Sequence, residues 1–264
     1  MIDSIHQSTL NMALRCGEQF RRRYLENEII PPSIAAGRGT GLHKANEVNL
    51  KQKIQTKEDL PVDDLKDAAR DGYIHSFRYG VYLAKEDVSA KDKLLNDGLN
   101  QTIQLTELYH EEVAPEIVPL EVEQEFIIDV GLDLPLSGRI DMQEKNKVDD
   151  LKSSGKKWAD GQIQKEIQPV FYSLAHEKQT GVRPEFVYHI LRTLKDGAKR
   201  QVQSMTATDE QYMALFAKLQ MFLKMLKGGL FPPANPTSWW CTPRYCGYFY
   251  TCPYVGNAKP KKWR

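Results

Sequence analysis

Between residues 117 and 193 the hydrophobic period changes twice, and this stretch restricts the fold more than any other. Residues 117–129 and 134–144 carry the Val, Ile and apolar–polar alternation of strands, and 147–152 read as a third, shorter strand. Residues 163–180 return to the helical period, with Ile163, Ile167, Val170, Phe171 and Leu174 on one stripe. Residues 184–193 make a fourth strand. A meander, a crossover helix and a further strand predict an α/β fold: a central mixed β-sheet flanked by helices.

Helical patterns surround that unit. Residues 8–26 predict a helix that buries Leu10, Leu14, Phe20 and Tyr24. The Gly-rich stretch 31–41 predicts a loop, ended by a helix that starts near Thr40. Residues 51–67 are polar and predict a surface connection, and helical patterns follow at about 64–84 and 88–113. Residues 51–113 together read as a helical insertion in a single domain spanning 1–264. A last helix starts at Thr208, where Gln211 completes a capping box, and stops at Gly228-Gly229. Residues 232–264 are an aromatic, Pro-rich coil holding three of the four cysteines.

Charge and targeting features narrow the setting. The net charge is +1, so the chain as a whole carries no signature of a polyanionic partner. Arg21-Arg22-Arg23 and the tail Lys259-Pro260-Lys261-Lys262-Trp263-Arg264 are local basic segments able to touch phosphate, but for each alone a solvated helix face or a solubilising tail is the preferred reading. No apolar run has the length of a membrane span, and Met1-Ile2-Asp3-Ser4 lacks a signal-peptide pattern. The expected location is the cytoplasm or nucleus, and there four cysteines do not imply disulfides.

The strands carry the chemistry. A two-residue turn at Lys145-Asn146 opposes Glu144 to Lys147, and the same register opposes Asp141, in Gly138-Arg139-Ile140-Asp141, to Asp150, in Asp149-Asp150-Leu151-Lys152. Asp150 and Lys152 point to one face because strand side chains alternate. Two carboxylates and an ammonium then share a small patch. Like carboxylates repel, and a divalent cation, Mg²⁺ or Mn²⁺, relieves the repulsion while leaving positions for water and phosphate. Lys152 beside it can orient or deprotonate water, or stabilise a pentavalent transition state. That is the chemistry of phosphodiester hydrolysis. His43, in Gly39-Thr40-Gly41-Leu42-His43, is a candidate imidazole ligand, with the glycines allowing close backbone approach. Gln168 and Tyr172 share a helix face and can hydrogen-bond phosphate or base. Pro169 between them suits the first turn of that helix. Glu121 and Glu123 share a strand face, and either can add an accessory carboxylate.

The cysteines are spaced Cys241-x4-Cys246-x5-Cys252-Pro253, with Cys16 far upstream. Four thiolates suit zinc or an iron–sulfur cluster. The gaps are longer than those of paired zinc ligands, so iron–sulfur is the first expectation and zinc the second. Either site would staple the N-terminal helix to the C-terminal coil.

Taken in order, Cys16, Gly-x3-His, Gly-x-Ile-Asp, Asp-x-Lys, Gln-x3-Tyr and three clustered cysteines resemble the RecB-type branch of the PD-(D/E)xK nucleases. The likeness is to the iron–sulfur nucleases of CRISPR adaptation, recombination helicase–nucleases and phage exonucleases. It spans Cys16 to Cys252 and leaves residues 51–113 without a motif. The resemblance implies a restriction-endonuclease-like core. It implies a catalytic Mg²⁺ or Mn²⁺ on His43, Asp141, Asp150 and the Leu151 carbonyl, with Lys152 as the catalytic lysine. Gln168 and Tyr172 serve the following helical motif. Cys16, Cys241, Cys246 and Cys252 are implied to hold a 4Fe–4S cluster joining the N- and C-terminal segments. The implied activity is that of a DNA exonuclease on single strands or ends, in recombination, repair or phage DNA metabolism, with a helicase or recombination protein as a partner. The chain departs from the family pattern in having Cys16-Gly17 rather than Cys-Pro, Ile140 before the first acid, and Pro169 inside Gln-x3-Tyr. The rival expectation is a DNA-binding module with a structural iron–sulfur or zinc site and no catalysis.

Overall fold

The computed structural model describes residues 2–258, so the basic tail Lys259–Arg264 lies outside the described residues. In chain order it comprises β1 (Ile5–His6), α1 (Gln7–Arg15), α2 (Gly17–Phe20), α3 (Ile34–Thr56), α4 (Val62–Ser76), α5 (Lys91–Glu112), β2 (Glu121–Ile128), β3 (Leu136–Gln143), β4 (Lys147–Ser154), α6 (Ile167–Thr180), β5 (Glu185–Leu194), β6 (Gly197–Thr206) and α7 (Asp209–Gly228). The strands form one mixed sheet in the order β1-β3-β4-β5-β6, with β2 paired to β3. β2–β3, β3–β4 and β5–β6 are antiparallel, whereas β4 and β5 are parallel and joined through α6. This is the mixed α/β architecture that the alternation of periods predicts.

Two cores cover the two faces. On one, Leu10 and Phe20, Phe171 and Leu174, and Leu219 and Phe222 pack from α1, α2, α6 and α7 onto Ile140, Val148, Phe186 and Ile190. On the other, Leu42 and Leu50 of α3, Leu65 of α4, and Leu105 and Tyr109 of α5 cover Met142, Leu151 and Leu191. Residues 62–112 thus supply much of one helical layer. Among the described residues no helix is long and apolar enough to cross a membrane.

Several local expectations are corrected. The stretch 31–41 is not a loop: α3 starts at Ile34, capped by Ser33, whose hydroxyl accepts from the Ala36 N–H at 3.3 Å. Gly37 and Gly41 are there for close packing, whereas Gly39 faces open space. A Cβ on Gly41 would lie 2.7 Å from the Ala69 carbonyl oxygen of α4, and one on Gly37 would meet the Phe77 ring. Residues 51–67 are not simply a surface connection either, because α3 runs to Thr56 and α4 begins at Val62. Lys53 is buried there, with its ammonium 2.9 Å from Asp59 and 2.6 Å from the Ala114 carbonyl. The helix expected over 8–26 breaks at Cys16, which is extended (φ −161°, ψ 104°), and continues as α2 and a π-turn. The patterns at 64–84 and 88–113 resolve into α4, a 3-10 turn at Lys85–Ala90, and α5. The stretch 163–180 begins as a 3-10 turn, with α6 starting at Ile167 and Pro169 in its first turn. Strand β6, unforeseen, forms a hairpin with β5 across Lys195-Asp196, closed by Gly197 at φ +123°. The capping box at Thr208 and the left-handed Gly229 after α7 are as predicted.

Gly41→Ala should lower the stability by about 1–2 kcal/mol, because the clash with the Ala69 carbonyl outweighs the helix propensity gained. Urea denaturation would measure it, and an unchanged midpoint would show that α3 and α4 can part cheaply.

Candidate active site

Strands β3 and β4 pair only at Met142↔Asp149 and Gln143↔Val148, continued into the turn by the Glu144 N–H donating to Lys147 O at 2.8 Å. This is the predicted register. Pairing stops one step short of Asp141 and Asp150, so the two acids face each other where the strands separate. Asp150 is 1 % exposed. Its carboxylate receives the Lys152 ammonium at 2.6 Å on one oxygen and the Gln168 amide N–H at 2.6 Å on the other. The Tyr188 hydroxyl donates to the Gln168 carbonyl oxygen at 3.1 Å, and the Lys152 ammonium stands 5.2 Å from the centre of the Tyr188 ring. Tyr188 pairs with Asp150 across the parallel β4–β5 ladder. Sequence reasoning missed Tyr188, because only that long-range register brings it to the acid.

α3 brings His43 from the other side of the opening. One ring nitrogen is 3.1 Å from the Leu151 carbonyl oxygen and the other 3.2 Å from an Asp141 carboxylate oxygen. Glu123 lies across from Asp141 between the pairs Val122↔Met142 and Gln124↔Ile140. His43, Glu123 and Asp141 each put one ligand atom within 4.8 Å of the others. Glu123 sits at φ +56°, a costly conformation for a non-glycine residue, and its carboxylate pairs with Arg139 at 2.6 Å. The choice left open by sequence resolves geometrically: Glu123 joins the group, while Glu121 is exposed at the start of β2. Tyr172 stands one turn after Gln168 with its ring edge-on to Phe126, centroids 6.0 Å apart. Gly138 makes room for both rings, since a Cβ there would lie 2.8 Å from Phe126 and 3.4 Å from Tyr172.

The electrostatics of this group favour a cation. Burial, and then the neighbouring Asp150, push the Asp141 carboxyl well above the usual carboxylate range, with Lys152 opposing. Burial also raises Glu123 and lowers His43. Burial and the fields of Asp141 and Asp150 push the Tyr172 phenol up. A neutral His43 carries one N–H, yet both its ring nitrogens face oxygens. The second nitrogen therefore needs either a proton on Asp141 or a cation between the groups. A divalent cation fits this oxygen-rich donor set. The group opens into a cleft of about 1260 Å³ whose walls include Lys44 and Glu47 of α3 and Ile74, His75 and Arg78 near the end of α4.

The thiols gather elsewhere. Cys16, Cys241, Cys246 and Cys252 line one small pocket, and none forms a disulfide. Burial and the other thiols push Cys246 up to about 11, so ligation is what would keep it a thiolate. A tetrahedral zinc with Zn–S of about 2.3 Å would hold its sulfurs about 3.8 Å apart. Among the described residues no three cysteine sulfurs lie within 4.8 Å of one another; the His43–Glu123–Asp141 group alone meets that spacing. Gly17 explains its own departure from Cys-Pro: its N–H donates to Pro232 O at 2.8 Å, and a Cβ would lie 2.6 Å from the Phe231 backbone. Of the arginine run, Arg21 pairs with Glu18 and Glu26. Arg22 is buried, stacks on Tyr248 at 4.7 Å and donates to Thr251 at 2.8 Å, which makes it a brace for the cysteine coil.

The family model described as the PD-(D/E)XK nuclease superfamily matches residues 4–253. The chain is similar in structure to a Eubacterium rectale protein provisionally named an exonuclease, with TM-score 0.61 and 12% identity, over 90% of this chain and 87% of that one. At that identity the likeness shows the fold alone. SSO0001 aligns with TM-score 0.45 and 15% identity, over 97% of this chain and 88% of that one. No curated protein matches the chain.

The raised Asp141 pKa has a definite sign in stability. Its favourable contribution is full below the unfolded carboxylate pKa and is lost as pH rises through the higher folded value. Metal-free protein should therefore lose melting temperature over that rise, and Mn²⁺ should restore it at neutral pH. Asp141→Asn should flatten the pH dependence and abolish most of the Mn²⁺ increment. Thermal melts in EDTA and in MnCl₂ would measure both, and an unchanged increment in the variant would remove Asp141 from the metal group.

Proposed function

The chain belongs to the PD-(D/E)XK nuclease superfamily, and on that premise we propose that it is a metal-dependent DNA nuclease acting as an exonuclease on single strands or DNA ends. The observation that carries the proposal is the meeting of Asp141, Asp150, Lys152 and His43 at the point where β3 and β4 separate. His43, Asp141, Asp150 and the Leu151 carbonyl are the residues that would hold Mg²⁺ or Mn²⁺, with Glu123 as the accessory carboxylate. When bound, such an ion lowers the pKa of a water and neutralises charge on a phosphoryl oxygen.

The protein's own groups do the rest. Lys152 donates from a fixed position beside Asp150, to orient the attacking water and to balance negative charge that grows on the phosphate. Gln168 holds the other Asp150 oxygen and is itself fixed by Tyr188, so the carboxylate cannot swing away from the opening. Tyr172 backs Gln168 on the same helix face. The walls of the cleft position the strand by its phosphates.

Cys16, Cys241, Cys246 and Cys252 are proposed as ligands of a 4Fe–4S cluster, supported by four free thiols that line one pocket and by the spacing of the three C-terminal cysteines. Its role is structural: it ties α1 and α2 to the C-terminal coil. Recombination, repair or phage DNA metabolism, with a helicase or recombination protein as the loading partner, is the setting proposed for the activity.

End-labelled single-stranded and duplex DNA, incubated with Mg²⁺, Mn²⁺ or EDTA, tests the activity. Cleavage should require the metal, and Lys152→Ala should reduce it by about 10²–10⁴-fold with unchanged circular dichroism. Cutting at wild-type rate by that variant would take Lys152 out of the mechanism. Binding without cleavage by the wild type would favour the non-catalytic module. Cys246→Ser should lose the brown colour and bound iron, and melt at lower temperature. Stoichiometric zinc in colourless, stable wild type would replace the cluster assignment.

A further inference from the structure

At the rim of the catalytic cleft α4 ends in a turn that presents an aromatic ring to solvent. Ile74, His75 and Arg78 line the cleft, and Tyr79, next in the chain, is 83% exposed. Ile74 is itself 57% exposed. The Arg78 guanidinium lies 4.7 Å from the centre of the Tyr79 ring, which leaves most of that ring open. An exposed aromatic on a loose loop would mean little, but this turn is held on both sides. The Gly80 N–H donates to Phe77 O at 2.9 Å, and Gly80 takes φ +109°. Phe77 packs edge-on against Tyr73, centroids 5.0 Å apart, and fills the space left by Gly37 of α3. Three residues beyond Tyr79, the Tyr82 N–H donates to Pro32 O at 2.9 Å. The Tyr82 hydroxyl donates to Pro243 O and, at 3.2 Å, to Cys246 O of the cysteine coil. The tip, Arg78-Tyr79-Gly80, is exposed, with the Arg78 guanidinium donating to His75 O at 3.2 Å.

We infer that Arg78 and Tyr79 form a platform on which an unpaired base of single-stranded DNA stacks as the strand enters the catalytic cleft, an inference that rests on the nuclease reading of that cleft. Three features together select this occupant. The ring offers a flat π-face, which any base can use without sequence preference. The guanidinium beside it can meet the neighbouring phosphate, and exposed Lys44 and His75 lie on the same cleft wall. The clamped turn is ordered before the strand arrives, so stacking costs little conformational entropy. In a duplex the base faces are already stacked on one another, so the platform discriminates for single strands or frayed ends. The Tyr82 anchor also means that the cysteine coil helps to set the height of this platform above the cleft.

Two readouts, one independent of cleavage, test it. In EDTA, oligo(dT) bearing 5-iodouridine is irradiated with the protein and the cross-linked residue mapped by mass spectrometry. In Mg²⁺, KM and kcat for single-stranded cleavage are compared for wild type, Tyr79→Ala and Tyr79→Phe. The cross-link should map to Tyr79. Tyr79→Ala should raise KM about tenfold with kcat nearly unchanged, and Tyr79→Phe should keep the wild-type value. Because Tyr79 is exposed, the melting temperature should not move. A wild type that cuts DNA but gives no cross-link at Tyr79 and no change in KM on Tyr79→Ala overturns the platform and leaves the nuclease intact. An equal KM increase on blunt duplex overturns the unpaired-base assignment. A protein that cross-links at Tyr79 yet cuts nothing supports the platform while the nuclease reading fails.

Discussion

Asp141 and Asp150 face each other on an open cleft where two strands separate, and the groups around them answer that repulsion. Lys152 and Gln168 occupy the two oxygens of Asp150, and His43 reaches Asp141 from a helix on the opposite side. These groups come from β3, β4, α3 and α6, so the site exists only when the sheet, α3 and α6 are docked together. Without a cation the cost appears as a strongly raised Asp141 pKa. Local stability is traded here for a preformed, oxygen-rich group that a divalent cation fits.

The elements that hold the site are themselves tied by the chain ends. Cys16 interrupts the first helix, and the break lets Gly17 bond Pro232 and brings the fourth thiol to the C-terminal coil. That coil grips Tyr82, and through it the turn that closes one wall of the cleft. A proline after Cys16 would remove the Gly17 N–H and crowd the backbone of Phe231. The departure from the Cys-Pro pattern is thus a consequence of how the two termini meet.

Glycine misled the reading of the sequence in one direction and would have helped in another. Gly37, Gly39 and Gly41 look like loop residues, and glycine does lower helix propensity. At Gly37 and Gly41 the α4 end of the chain approaches too closely for a Cβ, though at Gly39 nothing does, and a neighbour's distance is invisible in one dimension. Conversely Asp196-Gly197 is an ordinary hairpin signal, and reading it as such would have found β6. Its flanking strand is mostly polar because it pairs at an edge of the sheet, so periodicity alone was weak there.

By itself the sequence determined the elements whose physics is local: the strand alternation, the Lys145-Asn146 turn, and with it the register that opposes Asp141 and Asp150. It also determined the Thr208 capping box, whose partners lie three residues apart. The tertiary structure alone decided that Glu123, not Glu121, joins His43 and Asp141, because that depends on a left-handed residue in β2. It alone decided that Tyr188 secures Gln168, through a parallel pairing across a crossover, and that Arg78 at the end of α4 lines the cleft. The division follows the range of the forces. Side-chain alternation and turn geometry act over a few residues, whereas the meeting of α3, β2, β5 and α6 at one opening is a product of packing around two cores.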